Sequence, residues 1–435
     1  MEWYLGFRVK FVNLGCSKNL VDSEWMAGLL NSRGVGIVDE IEEADCLVVN
    51  TCAFIEDARK EAVEAILAGA EWKSAVEGRR LFIAGCMPQR YADELRAELP
   101  EVDGFFGVGD YDGLVKAVDS RKAAGGGRVS RFAFTPRHYR YLRIADGCDR
   151  GCSYCSIPLI RGRYRSREMD EILREAEVLI DEGAKELVVI GQEISGYGSD
   201  LKDGSDLIGL LKRLVKIDGI EWVRLLYLHP PLVDEELVEF IAGEEKVCPY
   251  FDFPIEHIND DILRRMNRRI NRNGIIKRLE TMRRLIPDCA IRTSLMAGFP
   301  GETEGMFREL ADFAAEGWFD RLGVFVYSPE AGTPAYNYDC RIPSDIAQSR
   351  REIIMEIQRE VSRKYNESRV GEICRIIVDG WDDEGRLMGR TVREAPEIDG
   401  VVFLNGEANP GEMVEVEIVE AGDYDLEGEV LSFEF

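Results

Sequence analysis

Histidine is scarce. His138, His229 and His257 are the only three in 435 residues, and no H-E-x-x-H segment or C-x-x-C followed by paired histidines occurs. That excludes the usual zinc peptidase and zinc-finger patterns. Basic charge is also short, with 55 Lys and Arg against 81 Asp and Glu and a formal net charge of −26. A general nucleic-acid binder needs a basic footprint to displace counterions from phosphates, so strong general nucleic-acid binding is not expected. A basic partner suits the balance better. Long apolar runs are missing: LVVI at 187–190 falls far short of the roughly 20 residues of a spanning helix. The N-terminal stretch lacks a basic segment followed by a small-residue cleavage site and reads as a strand. A chain with no membrane segment, resident in the cytoplasm, is the expectation.

The length is enough for two or three domains, and a 45% hydrophobic content predicts packed cores rather than disorder. Residues 1–122 alternate apolar strands (9–16, 45–52 and 81–86) with helical stretches, the second of which has Asp57 as its expected cap. The pattern predicts an α/β domain with a parallel sheet. Gly125, Gly126 and Gly127, within 121–132, mark a boundary. From 134 to 365 strand, loop and helix recur about six times, which predicts a partial (β/α)6 barrel. The strands are read at 141–146, 186–191, 222–228, 250–255, 290–298 and 321–328, and Gly183 closes one helix at a C′ position. Such barrels place their chemistry in the loops after the strands, and the distinctive tracts GQEISGYG, YLHPP, PIEH, GFPGE and YSPEAGTP all fall there. Residues 366–435 read as a small all-β, OB-like barrel of about five strands. It is strongly acidic, with five arginines against nineteen Asp and Glu.

Eleven cysteines in a chain expected to be cytoplasmic do not suggest a disulfide framework. Cys148, Cys152 and Cys155 form C-x₃-C-x₂-C after the first barrel strand, and Tyr154 stands beside the last of them. Three thiolates on one loop can hold three irons of a 4Fe–4S cluster and leave the fourth open to a non-protein ligand. A zinc knuckle lacking its fourth residue is the alternative. Cys16, Cys52 and Cys86 each end an apolar strand of the first domain, and neighbouring parallel strands bring their ends to one edge. They are either three packed strand cysteines or a second three-thiolate site. Cys46, Cys248, Cys289, Cys340 and Cys374 show no ligand spacing and read as structural.

The segment CDRGCSYC at a barrel mouth resembles the radical S-adenosylmethionine (SAM) superfamily. The resemblance implies that Cys148, Cys152 and Cys155 carry a catalytic cluster whose open iron binds SAM. Reductive cleavage of SAM would then give a 5′-deoxyadenosyl radical that abstracts a substrate hydrogen. It further implies SAM contacts from Tyr154, from Gly191, Gln192 and Glu193, and from Arg292, Ser294 and Gly298 in RTSLMAGFPGE. Together with the N-terminal cysteines and a C-terminal barrel similar to a TRAM domain, the chain resembles the methylthiotransferases of that superfamily. In these, Cys16, Cys52 and Cys86 would hold a second 4Fe–4S cluster whose open iron carries the sulfur to be methylated. The tract after the cluster loop, with Pro158, Arg161, Gly162, Ser166 and Arg167, fits the same family.

That family modifies either tRNA adenosine or an aspartate of ribosomal protein S-12. LGCSKNLVDSE with Lys18 and Asn19, RLLYLHPP, EAPEIDGVV and the acidic barrel resemble the ribosomal-protein branch. Ser17, His229 and the pair Glu256-His257 depart from its usual pattern, and His257 is the histidine expected to matter. The implied reaction is methylthiolation of the aspartate β-carbon. Modification of tRNA, or a non-catalytic iron–sulfur protein, are the other readings. A low-potential donor such as flavodoxin or ferredoxin would supply the electron.

Overall fold

A computed structural model of the chain describes residues 6–120 and 131–431. The three glycines of the expected boundary lie outside the described residues. The chain forms two compact bodies. The first takes residues up to 135 together with 146–149 and 155–164, and the second takes 136–145, 150–154 and 165 onward.

In the first body, β1 (Arg8–Asn13), β2 (Gly36–Ile37), β3 (Cys46–Thr51), β4 (Arg80–Gly85) and β5 (Gly104–Phe106) pair in the order β2-β1-β3-β4-β5. All four pairings are parallel. Every residue of β3 is buried because helices cover both faces of the sheet, and this favours an unbroken apolar strand over alternation. One face packs Val9, Phe11 and Val48 on Leu30, Leu114 and Val118. The other packs Val49, Leu81 and Ile83 on Ile66, Cys86 and Leu95. The helices are α1 (Ser17–Asn31), α2 (Glu56–Ser74), α3 (Cys86–Glu98) and α4 (Tyr111–Val118). The expected cap of α2 is not made: the residue before it is Ile55, with no side-chain cap bond. Asp57 instead adds negative charge to the first turn, where the helix dipole favours it.

In the second body, the strands β6 (Tyr139–Arg143), β7 (Glu186–Ile190) and β8 (Trp222–Leu225) form one parallel run. A second run consists of β9 (Tyr250–Asp252), β10 (Ala290–Ala297) and β11 (Arg321–Val326). A bridge from Val223 to Val247 and the bond from Leu228 N to Asp252 O (3.0 Å) join β8 to β9. The six strands thus follow chain order around an arc, as the six repeats require. Gly183, two residues after helix Met169–Asp181, has φ +110° and donates to Ile180 O, which is the expected C′ closure. Strand β8 ends three residues earlier than its apolar pattern, since Tyr227 turns the backbone left-handed (φ +66°).

The C-terminal part is a closed five-stranded barrel: β12 (Ile373–Trp381), β13 (Leu387–Arg390), β14 (Val402–Asn405), β15 (Met413–Ala421) and β16 (Leu426–Val430), in the order β12-β13-β14-β16-β15. Its apolar interior is built on Ile376, Val378, Val402, Val416 and Ile418. It joins the arc through buried ion pairs near the starts of the arc strands. Glu186 lies between Arg224 (2.6 Å) and Arg390 (2.8 Å). Arg390 also pairs with Asp379, which meets His138 at 2.8 Å. Glu394 takes Arg321 and Arg369 at 3.1 and 2.8 Å. Buried charges persist only when paired and hydrogen-bonded. This small barrel therefore caps the strands' N-terminal ends and leaves their C-terminal ends for chemistry.

Candidate functional site

The three strand-end cysteines of the first body emerge side by side. Cys16 follows β1 as the cap residue of α1, Cys52 follows β3, and Cys86 opens α3 directly after β4. Because β1, β3 and β4 are adjacent, their C-terminal ends are neighbours. A Cβ on Gly15 would lie 2.8 Å from Cys52 Cβ, so the two loops touch. Asn19 ties the group together. Its Oδ1 faces Cys86 Sγ at 3.5 Å and Cys16 Sγ at 3.9 Å, while its Nδ2 donates to Thr51 O (2.9 Å) and Leu14 O (3.2 Å). Those two donations fix the amide orientation.

Arg161, buried in the same body, donates to Asn19 Oδ1 and Asp22 Oδ2, both at 2.8 Å, and its Nη1 lies 3.4 Å from Asp146 Oδ1. Burial pushes the Cys16 thiol up, yet Lys18, Arg161 and backbone N–H groups outweigh it and hold the thiol below its ordinary value. Cys52 is pushed up by burial, and Cys86 likewise, to about 12. Thiolate formation there therefore needs a metal to compete with the proton.

Gly85 positions Cys86. Its φ is +94°, and a Cβ would fall 2.2 Å from Asn50 Oδ1 and 2.8 Å from Thr51 O. Gly85→Ala is expected to cost about 1–3 kcal/mol and to lower iron uptake by the strand-end cysteines. Iron analysis of the reconstituted variant beside the parent checks this, and unchanged iron would contradict it.

The second trio lies on one loop of eight residues, each thiol partly exposed. Left-handed Gly147 (φ +73°) and Gly151 (φ +69°) shape the loop. A Cβ on Gly147 would lie 2.1 Å from Arg163 O, so glycine is required there. In the second body, Ser153 anchors the loop through its N–H to Met266 O (2.9 Å) and its Oγ to Arg265 O (2.8 Å). Tyr154 packs edge-on to Phe299.

Arg268, 4% exposed, reaches Cys152 Sγ at 3.5 Å and Tyr154 Oη at 3.3 Å. Sequence reasoning passed over this arginine. Its one signal is the basic tract RRMNRR, which reads equally as a solvated helix end.

The remaining expected residues divide. Gly191 and Gln192 follow β7, and both polar atoms of the Gln192 side chain are buried without a partner. A buried unsatisfied amide calls for a ligand or water, and a SAM head group fits it. Glu193 is already engaged, with Oε2 accepting from Arg150 Nε (2.8 Å) and Oε1 from Gly196 N (2.8 Å). It clamps the cysteine loop's own Arg150. Gly298 has φ +76° and donates to Glu302 Oε2 (2.8 Å), and a Cβ there would fall 2.4 Å from Ala347 Cβ. Ser294 lies in β10, its carbonyl accepting from Glu256 N.

Arg292 is not brought to the mouth. It bonds Asp252 (3.0 Å) and pairs with Asp399 of the small barrel (3.5 Å), at the opposite end of the strands. It sits only three residues into a strand of eight, so it never reaches the C-terminal edge.

His257 is likewise displaced from its expected role. It is wholly buried, its Nδ1 accepts from Asn259 N (2.9 Å), and burial pushes it down to about 3. It is a neutral core group. His229 is the histidine near the loop: burial first, then Arg268, Arg150 and Arg269, push it down to about 3. Of the remaining cysteines, Cys46, Cys248 and Cys289 are buried, with thiols pushed up to about 12 by burial. Cys374 is half-buried and Cys340 exposed.

Among the described residues, no three His, Cys, Asp or Glu side chains are grouped to hold a single metal ion. A cubane is held differently, since each thiolate takes its own iron at a separate corner. Both trios supply soft donors without a fourth protein ligand, and that donor set suits iron–sulfur chemistry.

Residues 142–314 match the Radical SAM superfamily model, 8–107 match the uncharacterized protein family UPF0004, and 370–431 match the TRAM domain. Among solved structures, the radical S-adenosylmethionine methyltransferase TsrM from Kitasatospora setae superposes with a TM-score of 0.54. Its identity is 13%, covering 88% of this chain and 84% of the other. The cobalamin-dependent S-adenosylmethionine radical enzyme OxsB superposes with a TM-score of 0.51 at 14% identity, covering 81% and 56%. These likenesses establish the fold: a radical SAM enzyme architecture.

The relatives are nearer. The ribosomal protein uS12 methylthiotransferase RimO of Pelobacter propionicus is 43% identical, covering 97% of this chain and 98% of that one. Those of Aquifex aeolicus (42%, covering 97% and 96%) and Clostridioides difficile (39%, covering 98% and 99%) align as completely. The chain belongs to the uS12 methylthiotransferase RimO family.

Proposed function

We propose that this chain is a radical SAM methylthiotransferase that adds a methylthio group to the β-carbon of an aspartate of ribosomal protein uS12. Two 4Fe–4S clusters and SAM are its cofactors. The single observation that carries the reading is the convergence of Cys16, Cys52 and Cys86 under Asn19, in a chain that also holds the loop trio. A radical SAM enzyme of simpler reaction needs only the loop.

When bound, the loop cluster supplies the electron that cleaves SAM, and the strand-end cluster supplies the sulfur that is methylated and inserted. The protein's part is positioning. Cys148, Cys152 and Cys155 would hold the first cluster, and the buried, unpartnered amide of Gln192 would receive the SAM amino-acid moiety. Gly298, where a Cβ has no room, and Ser294 line the nucleoside side. Arg292 is left out of this set because its guanidinium is committed to Asp252 and Asp399. Glu193 acts through Arg150, holding the loop rather than touching SAM.

Several features support the protein substrate over tRNA. The relatives carry that substrate in their name, and the small barrel is acidic, which attracts a basic ribosomal protein and repels phosphates. A low-potential flavodoxin or ferredoxin is the proposed donor. Among the described residues, no helix is long and apolar enough to cross a membrane.

The test incubates the reconstituted, reduced chain and SAM with a peptide of uS12 and, separately, with tRNA. A methylthio mass gain on the peptide is expected. A gain on tRNA alone would move the chain to the nucleic-acid branch, and no gain on either would leave only an iron–sulfur protein.

A further inference from the structure

We propose that Arg268 tunes the radical-generating cluster by donating a hydrogen bond to the sulfur of one of its ligands, Cys152. The inference rests on the assignment of Cys148, Cys152 and Cys155 as cluster ligands. Arg268 follows helix Asp260–Arg265 and is held by Leu263 O, which accepts its backbone N–H at 3.0 Å. The buried guanidinium has a divided task. One Nη meets Cys152 Sγ and Tyr154 Oη at 3.5 and 3.3 Å, and the other donates to Pro254 O. A buried cation needs compensating negative charge. Within reach is the sulfur of Cys152, which becomes a thiolate when it ligates iron.

Hydrogen bonds to the sulfurs are among the factors that set an iron–sulfur potential. A cationic donor stabilises the reduced, more negative cluster, so Arg268 raises the potential. Arg268 is therefore a positioning residue, acting through sulfur and not on substrate.

The experiment uses the full chain carrying Cys16→Ala, Cys52→Ala and Cys86→Ala, so that one cluster gives one signal. Iron is assayed, and reduction is followed by electron paramagnetic resonance against poised potentials without SAM. Arg268→Gln is expected to lower the reduced-to-oxidised ratio about tenfold at fixed potential, a shift of about 59 mV for one electron. Arg268→Lys, which keeps the charge, is expected to stay within about threefold of the parent. Equal ratios in the parent and Arg268→Gln would overturn the inference, as would equal losses in Arg268→Gln and Arg268→Lys. If Arg268→Gln takes up no iron, the iron-loaded parent grown on nitrogen-15 arginine decides: a nitrogen-15 coupling to the reduced cluster supports the inference and its absence overturns it. A parent that binds no iron instead overturns the assignment of the loop cysteines.

Discussion

Cys152→Ala is expected to drop the reconstituted chain from about eight irons to about four and to abolish 5′-deoxyadenosine formation. Cys86→Ala is expected to lose a similar amount of iron yet keep 5′-deoxyadenosine formation, while methylthiolation disappears. The asymmetry follows from the division of labour. On the proposed reading, the cluster held by the loop trio would supply the electron that cleaves SAM, and the one held by the strand-end trio would supply only the sulfur. The two buried thiols of the second body are not suited to stand in for Cys152. Cys248 and Cys289 are buried in the second body, with their thiols held near 12, and a thiol so hard to ionise is a poor metal ligand. Iron analysis together with chromatography of the SAM products measures both variants. Persistent 5′-deoxyadenosine in Cys152→Ala, or its loss in Cys86→Ala, would contradict the assignment.

The second large effect concerns the junction that caps the arc. Glu394→Ala is expected to destabilise the second body by about 3–5 kcal/mol, because it strands Arg321 as a buried cation and leaves Arg369 with Glu372, at 3.1 Å, as its one carboxylate partner among the described residues. Glu394 is 1% exposed and accepts from Arg369 (2.8 Å), Arg321 (3.1 Å) and Thr391 N (3.0 Å). Burial alone would push its carboxyl up, but Arg369, Arg321 and Thr391 overcome that and hold it at about 2.

The sign of the pH effect follows from this depression. The carboxyl titrates near 4.3 in the unfolded chain and near 2 in the folded one. Its contribution, about 3 kcal/mol, is therefore complete above about pH 4.5 and is lost as the pH falls toward 2. Urea unfolding followed by circular dichroism at pH 7 and at pH 3 checks both statements. The difference between the parent and Glu394→Ala should narrow at the lower pH. A difference under about 1 kcal/mol at pH 7 would mean that the network contributes little.

Much of the architecture was legible without coordinates. The parallel sheet, the six repeats and the small β-barrel follow from hydrophobic periodicity and glycine punctuation, which act over a few residues at a time. The short β2 and β5 were missed because two or three residues carry no period. The absent cap on α2 shows the limit of a local rule: Asp57 has the right chemistry two residues past the cap position, which Ile55 holds. That Cys148, Cys152 and Cys155 share one loop was legible because their spacing is local. That Cys16, Cys52 and Cys86 end up side by side was legible through topology, since adjacent parallel strands end at one edge.

The charged side chains were not legible in this way. Arg292 lies in a motif that points to the nucleoside, but the strand puts it near its start, where Asp252 and Asp399 claim it. Glu193, expected at SAM, holds Arg150. His257, expected to matter, is sealed in the core, and His229 takes the place nearer the loop. Arg161 stood out in sequence only as part of a basic tract, and Arg268 not at all. The chain's own order of residues determined where the two cysteine trios lie and what chemistry they can support. The tertiary structure alone decided which charges face them. A buried ion must find its partner wherever the fold brings one, and here those partners lie from about ten to more than two hundred residues away.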